Sequence, residues 1–235
     1  MRKIIIFGSG VHSKVVFSEV MQLKKFSVLG FIDDFIEKGR VIETHKRKVF
    51  KNLGKIKDLK KFTNVNGIIG VGSNYIRKGI FDEVNTLIKN FKWATVISKN
   101  SIINDRVTIG DGSVIVSNSV INTGTIIGNH CLINTSSSID HDNRFNDFSS
   151  TGPGVTTGGN VSVGEMSHLG IGSTTKHQNL AYTCKNIEKT AQNFRKKGYG
   201  FLTNYFNSIA FNESRVIFLL SPLNFIIELI EKNND

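Results

Sequence analysis

Apolar residues recur along this 235-residue chain at more than one interval, and each interval predicts a different element. Residues 3–7 form a nearly continuous β-branched and apolar run ending at Gly8, which predicts a buried strand. Gly8 and Gly10 permit a tight turn, and Val15, Val16, Val20 and Leu23 then fall at helical spacing. The stretch SVLGFIDD predicts a second strand that ends in Asp33 and Asp34. Strand, turn, helix and strand make one βαβ unit, so the strands are expected to pair in parallel. The pattern returns further on: Ile68 to Val71 reads as a strand, and Ser73 or Asn74 as a helix N-cap. Trp93 reads as a packing residue.

From residue 103 the period changes to six. Ile103, Ile109, Ile115, Ile121, Ile127, Ile133 and Ile139 are seven isoleucines in register, continued by Phe145, Thr151, Thr157, Val163 and Leu169. The position after each is Gly, Asn or Asp except at Val116, and those residue types tolerate left-handed backbone at a turn. A helix would drift out of this register, and a simple strand would need no glycine at every sixth residue. A triangular solenoid accounts for both: six residues make one face, three faces make a coil, and the isoleucines stack inward.

The six-residue ladder stops after Gly172-Ser173. The remainder of the chain has few glycines and ends in the apolar RVIFLLSPLNFIIELIEK, which reads as partly helical. Val216 to Ile230 is shorter than the ~20 residues of a membrane span and is interrupted by Ser221, Pro222, Asn224 and Glu228. Three accounts of the tail stand: helices that cap the solenoid, a segment for interaction or membrane-surface contact aided by Lys196 and Lys197, or a disrupted reading frame. The abrupt change of composition favours the last. The expected organisation is an α/β domain at 1–95, a β-helix at 96–176 and a divergent tail at 177–235.

Composition narrows the classes. Net charge is +11, from 30 basic and 19 acidic residues, but no nucleic-acid-binding module accompanies it. The lysines crowded between Lys46 and Lys61 read as a solvated face, and no nucleic-acid partner is expected. Cys131 and Cys184 form neither a disulfide framework nor a zinc site, so no metal is expected and the default compartment is the reducing cytoplasm.

Two segments carry candidate chemistry. The first turn reads Gly-x-Gly-x-x-Ser, and glycines there let backbone N–H groups approach a phosphate at a helix N-terminus. With the acidic pair after the second strand, Gly8, Gly10, His12, Asp33 and Asp34 make a candidate nucleotide site; a plain connecting turn is the alternative. Arg77 and Lys78 fall in a first helical turn, where they either meet an anionic ligand or are surface charge.

The hexapeptide period resembles that of the hexapeptide-repeat acyltransferases, whose β-helices are left-handed. IIIFGSGVHSKVV, GFIDD, GVGSNYIRK and INTSSSIDHD lie in the order and spacing of one subfamily, over roughly residues 3–175. It comprises the sialic acid O-acetyltransferase-like proteins and the acetyltransferases of bacterial UDP-4-amino-sugars. The resemblance implies a Rossmann-like α/β domain followed by a left-handed parallel β-helix. It also implies acetyl-CoA as co-substrate, a nucleotide sugar or sialic-acid-like sugar as acceptor, a homotrimer, and a place in surface glycan synthesis.

Acetyl transfer from a thioester needs a base for the acceptor's proton and two well-oriented substrates. By the resemblance His141 matches the base and Asp142 the acid that supports it, with Asp140 as the other flanking carboxylate. The sugar site matches Gly10, Val11, His12, Asp33 and Asp34, and Ile171 matches a position lining the acetyl-CoA groove. Family members often carry a second histidine nine residues after the base, touching acetyl-CoA; here the residue is Ser150. His168, one coil further on, is expected to stack beside Ser150 and is a candidate to replace that imidazole. His130 reads as structural. Two other classes remain: a non-catalytic partner of a sugar-synthesis enzyme, and an NAD-dependent enzyme built on the Gly8–Gly10 loop.

Overall fold

The computed structural model describes residues 1–175, 180–208, 214–220, 222 and 226–231. The chain divides into two compact units, Met1–Thr174 and Thr175–Asp235.

The first unit opens with β1 (Arg2–Phe7), α1 (Val11–Gln22) and β2 (Phe26–Ile32). A hairpin of β3 (Val41–His45) and β4 (Lys48–Lys51) comes next, then a 3-10 turn at Ile56–Lys61. After these come β5 (Val65–Ile69) and α2 (Asn74–Leu87). The sheet order is β2-β1-β5, and both pairings are parallel, as the βαβ reading expected. The third strand lies a little earlier than the Ile68–Val71 expectation, because Gly70 closes the ladder through its N–H to the Phe7 carbonyl. The crowded lysines lie on the hairpin and 3-10 turn and are all exposed. Ser73 caps α2, its Oγ accepting from the Ile76 N–H.

The solenoid is a left-handed parallel β-helix of two-residue strands on three faces. One face stacks Val96–Ile97, Val114–Ile115, Leu132–Ile133, Ser150–Thr151 and His168–Leu169. The second runs from Ile102–Ile103 to Thr174–Thr175, and the third from Thr108–Ile109 to Ser162–Val163. Partners are 18 residues apart, as in Ile121 beside Ile139 and Ile127 beside Phe145. The ladder isoleucines from Ile115 to Ile139 are buried, and Ile103 and Ile109, at one end, are partly so.

The left-handed corners are not where the glycine and asparagine pattern put them. Positive φ falls two residues later, at Arg106, Gly112, Asn118, Gly124, His130, Ser136, Asp142, Phe148, Gly154, Asn160, Met166 and Gly172. The position after the isoleucine is small or polar for another reason, the close passage of neighbouring coils. A Cβ on Gly110 would lie 2.6 Å from the Gly128 backbone. On the face of Ile103, Ile121 and Ile139 that position makes a polar ladder, Asn104 donating to Asn122 and Asn122 to Asp140. A second inward register is not evident from the isoleucine spacing: Ser113, Ser119 and Thr125 are fully buried and donate to the carbonyls of Gly128, Asn134 and Asp140. Such bonds satisfy corner carbonyls that lie between strands.

The first face packs on the α/β sheet. Val96, Val114, Val116 and Leu132 join Ile4, Ile6, Val16, Val20 and Phe31 in one core. A buried guanidinium fastens the same junction. Arg77 is 2% exposed; its Nε donates to His130 O (2.8 Å) and its Nη2 to Phe148 O (2.9 Å), while Nη1 donates to Val71 O and Gly72 O. Burial lowers its pKa to about 10. Neither an anionic ligand nor surface charge describes Arg77, whose donors are spent on backbone carbonyls. Lys78 pairs with Asp82 on the helix surface.

The second unit is mostly sheet, including the final apolar run whose spacing read as partly helical. Leu180–Cys184, Ile226–Glu231, Ser214–Leu220 and Gly200–Phe201 lie side by side in that order, with Phe206–Ser208 also paired to Ser214–Leu220. Helix α3 (Ile187–Lys196) is capped by Asn186 and packs Ile187 and Ala191 on Ile217, Leu219 and Leu229. The final apolar run is therefore two antiparallel strands either side of Pro222, favoured by its β-branched content. Ser221 and Asn224 lie outside the described residues. Among the described residues no helix is long and apolar enough to cross a membrane.

Candidate functional site

His141 sits at a solenoid corner whose geometry arises from the 18-residue coil. Asp142 takes the left-handed corner conformation (φ 55°), and its N–H donates to Thr123 O of the preceding coil. The His141 N–H is accepted by Asp140 Oδ1 at 2.8 Å. These bonds fix the backbone on both sides of the imidazole. The ring's Nδ1 lies 2.8 Å from Asp142 Oδ2. A carboxylate can only accept, so Nδ1 carries the proton and Nε2 is left as the basic nitrogen. The hydrogen bond to Asp142, then the charges of Asp140 and Asp142, raise the His141 pKa above its ordinary value.

Glycines clear the space around this pair. A Cβ on Gly159, one coil beyond His141, would sit 2.6 Å from Cε1 and Nε2 of the ring. Gly124, one coil before Asp142, leaves similar room for its carboxylate. The side chains remain about half exposed, at 49% for His141 and 58% for Asp142, so a substrate has access to Nε2. Residue offsets of 18 point to both glycines once a solenoid is accepted.

Ser150 and His168 face each other as partners on adjacent coils, with Ser150 Oγ 2.8 Å from His168 Nδ1. The serine is fully buried. Ile171 is 81% exposed, and its backbone lies against Gly152.

The predicted nucleotide residues divide into two sets. Asp33 turns back on the first loop, where Oδ2 accepts from Ser9 N (2.9 Å) and Ser9 Oγ (2.6 Å) while Oδ1 accepts from Phe35 N. Asp34 Oδ1 accepts from Ile56 N at 2.7 Å. Asp33, Asp34 and Gly8 line a cavity of about 200 Å³ beyond the sheet, whose walls are Phe7, Ile32, Phe35, Ile56, Val71, Ile76 and Ile80, with Glu83. The wall residues of α2 are absent from the motif-based site, although Ile76, Ile80 and Glu83 share one helical face by spacing.

Gly10, Val11 and His12 lie outside that cavity's lining, at the start of α1. Gly8 takes the left-handed conformation (φ 91°); Gly10 does not, and is the N-cap with open space where a Cβ would stand. Val11 is exposed, whereas His12 is partly buried near Gly72, its pKa lowered by burial and then by Arg77. His130 is buried and stacked on Phe148; burial and Arg77 bring its pKa to about 4, so it is neutral and structural. Trp93 packs against Phe7, Phe81, Phe91 and His130.

Residues 3–84 match the PglD N-terminal domain family. The chain is structurally similar to the acetyltransferase domain of PglB from Neisseria gonorrhoeae, with 25% identity and a TM-score of 0.66 over 78% of this chain and 84% of that one. The same domain in complex with acetyl coenzyme A gives 26% identity and a TM-score of 0.65, over 77% and 83%. PerB from Caulobacter crescentus, in complex with CoA and GDP-perosamine, shares the fold at 23% identity and a TM-score of 0.64, over 74% and 80%. No curated protein sequence matches the chain.

Proposed function

We propose that the protein is an acetyl-CoA-dependent acetyltransferase acting on an amino or hydroxyl group of a nucleotide sugar or sialic-acid-like sugar in surface glycan synthesis. The observation that carries this reading is the His141–Asp142 pair, with Nε2 free above a glycine at an exposed corner. The similarity to a PglB domain that binds acetyl coenzyme A supports the donor. The cavity at the carboxyl ends of parallel strands is where nucleotide ligands bind in open α/β sheets, and it supports an activated sugar as acceptor.

His141 Nε2 takes the proton from the acceptor as its nitrogen or oxygen attacks the thioester carbonyl. Asp142 holds the tautomer and stabilises the imidazolium that forms. The carbonyl carbon gains the acceptor's lone pair, and the tetrahedral intermediate collapses with loss of the CoA thiolate, which is then protonated. The chemistry uses no metal and no acyl-enzyme. Ser150 with His168, and Ile171, are assigned to the acetyl-CoA groove. Gly10, Val11 and His12 are assigned to the sugar diphosphate. Outward-facing Ile102 and Ile126, 56% and 37% exposed on two neighbouring faces, leave apolar surface for contact between copies, and the working unit is proposed to be a cytoplasmic homotrimer.

Calorimetric titration of acetyl-CoA into the purified protein tests the donor. Saturable binding, with acetyl transfer to an amino- or hydroxy-sugar nucleotide lost in His141→Ala, is the expected result. A folded protein that does not bind acetyl-CoA overturns the reading and leaves a non-catalytic partner of a sugar-synthesis enzyme in its place.

A further inference from the structure

The cavity beyond β1, β2 and β5 has a polarity that selects among nucleobases. Its walls are apolar and aromatic, from Phe7, Ile32, Phe35, Ile76 and Ile80, which suits a flat ring. Its side-chain polar groups are all carboxylates: Asp33, Asp34 and Glu83. Among the described lining residues there is no lysine, arginine or histidine. The three acids differ in what they have left to offer. Both oxygens of Asp33 already accept hydrogen bonds, from Ser9 and from the Phe35 N–H. Asp34 spends Oδ1 on the Ile56 N–H, and its Oδ2 has no hydrogen-bond partner among the described residues. Glu83 has none at either oxygen among the described residues, and both carboxylates line the same cavity, where burial and then the Asp34 charge push the Glu83 pKa up.

A ligand here must therefore bring hydrogen-bond donors and must not bring acceptors toward the acids. Guanine presents N1–H and N2–H₂ side by side on one edge. Uracil presents a single N3–H between two carbonyl oxygens, each of which would face a carboxylate. Adenine has one amino group beside an acceptor nitrogen. Resting on the reading of the protein as a nucleotide-sugar acetyltransferase, we infer that the base is guanine, held through its N1–H and N2–H₂ by Asp34 and Glu83, so that the acceptor is a GDP-linked sugar.

The test is calorimetric binding of GDP, IDP, UDP and ADP to the full chain, with Glu83→Ala beside the wild type. A bidentate base contact is worth about 1–3 kcal/mol of discrimination, roughly 5- to 150-fold in affinity. GDP is expected to bind at least about tenfold more tightly than UDP or ADP, with IDP, which lacks the 2-amino group, weaker than GDP. Glu83→Ala is expected to erase most of the GDP preference, weakening GDP by loss of an acceptor and strengthening UDP by relief of the repulsion at a uracil carbonyl. Glu83 lies on an exposed stretch of α2, so its loss leaves the core intact. UDP binding as tightly as GDP, or a GDP preference that survives Glu83→Ala, overturns the assignment of the base and leaves the acetyltransferase reading standing. Failure of all four diphosphates to bind a protein that takes up acetyl-CoA overturns the nucleotide-sugar reading itself, and the base assignment with it.

Discussion

Gly159→Ala should disable acetyl transfer without disturbing the solenoid. The added methyl carbon would lie 2.6 Å from Cε1 and Nε2 of His141 and 3.2 Å from Cδ2. Ordinary carbon contacts are about 3.5–4.0 Å, so the imidazole must retreat by roughly 1 Å. Misplacing a reacting group by that distance costs on the order of 10²-fold in rate. Gly159 does not have positive φ, so alanine suits its backbone and the effect is confined to the ring. The assay is steady-state acetylation of the sugar nucleotide, with kcat expected to fall about 100-fold. Titration of the His141 Cε1 proton by NMR supplies a readout that needs no substrate: a ring pushed off Asp142 loses the hydrogen bond that raises its pKa. A Gly159→Ala protein with unchanged kcat and unchanged His141 titration would refute the argument that this glycine is there to make room for the base.

Asp142→Asn removes the main cause of the raised His141 pKa, so the acidic limb of the kcat/KM profile is expected to move to lower pH while the maximum rate falls. Because the folded pKa lies above the unfolded one, the pair stabilises the protein at pH below the unfolded value and that contribution is lost as pH rises through the folded value. The variant should therefore lose stability at low pH and little at high pH, which melting temperatures at several pH values would show. Arg77→Met keeps the volume but leaves the carbonyls of Val71, Gly72, His130 and Phe148 without their donor. At about 1–3 kcal/mol per stranded group, offset in part by relief of the buried charge, the loss is expected to be about 3 kcal/mol in urea unfolding. Ile133→Ala, in the sealed middle of the ladder, should cost about 2–5 kcal/mol, and Ile103→Ala, at its partly exposed end, distinctly less. Equal losses at the two sites would count against a core that is closed in its centre and open at its ends.

The sequence alone determined the elements that repeat or that sit in local pattern. Six-residue spacing compelled a solenoid, because a helix would drift out of the register of isoleucines 103, 109, 115, 121, 127, 133 and 139 and a simple strand would need no Gly, Asn or Asp after nearly every one of them. Coil arithmetic then put Ser150 beside His168 and makes Gly159 the neighbour of His141. The first βαβ unit and the Ser73 cap were legible because both depend on neighbours a few residues away. Only the tertiary structure decided what depends on long-range burial. Arg77 looked like a free cation at a helix start and is instead consumed by carbonyls 53 and 71 residues away, a choice governed by the solenoid closing over α2. The glycine and asparagine register was read as left-handed backbone, but the turn falls two residues later, since the clearance between coils is a three-dimensional quantity. In the final apolar run the helical and strand periods overlap over so few residues that pairing with a partner strand settled the matter. Asp33 and Asp34, adjacent and chemically identical, were separated by their surroundings: one has both oxygens taken by Ser9 and the Phe35 N–H, and the other has one oxygen with no partner among the described residues.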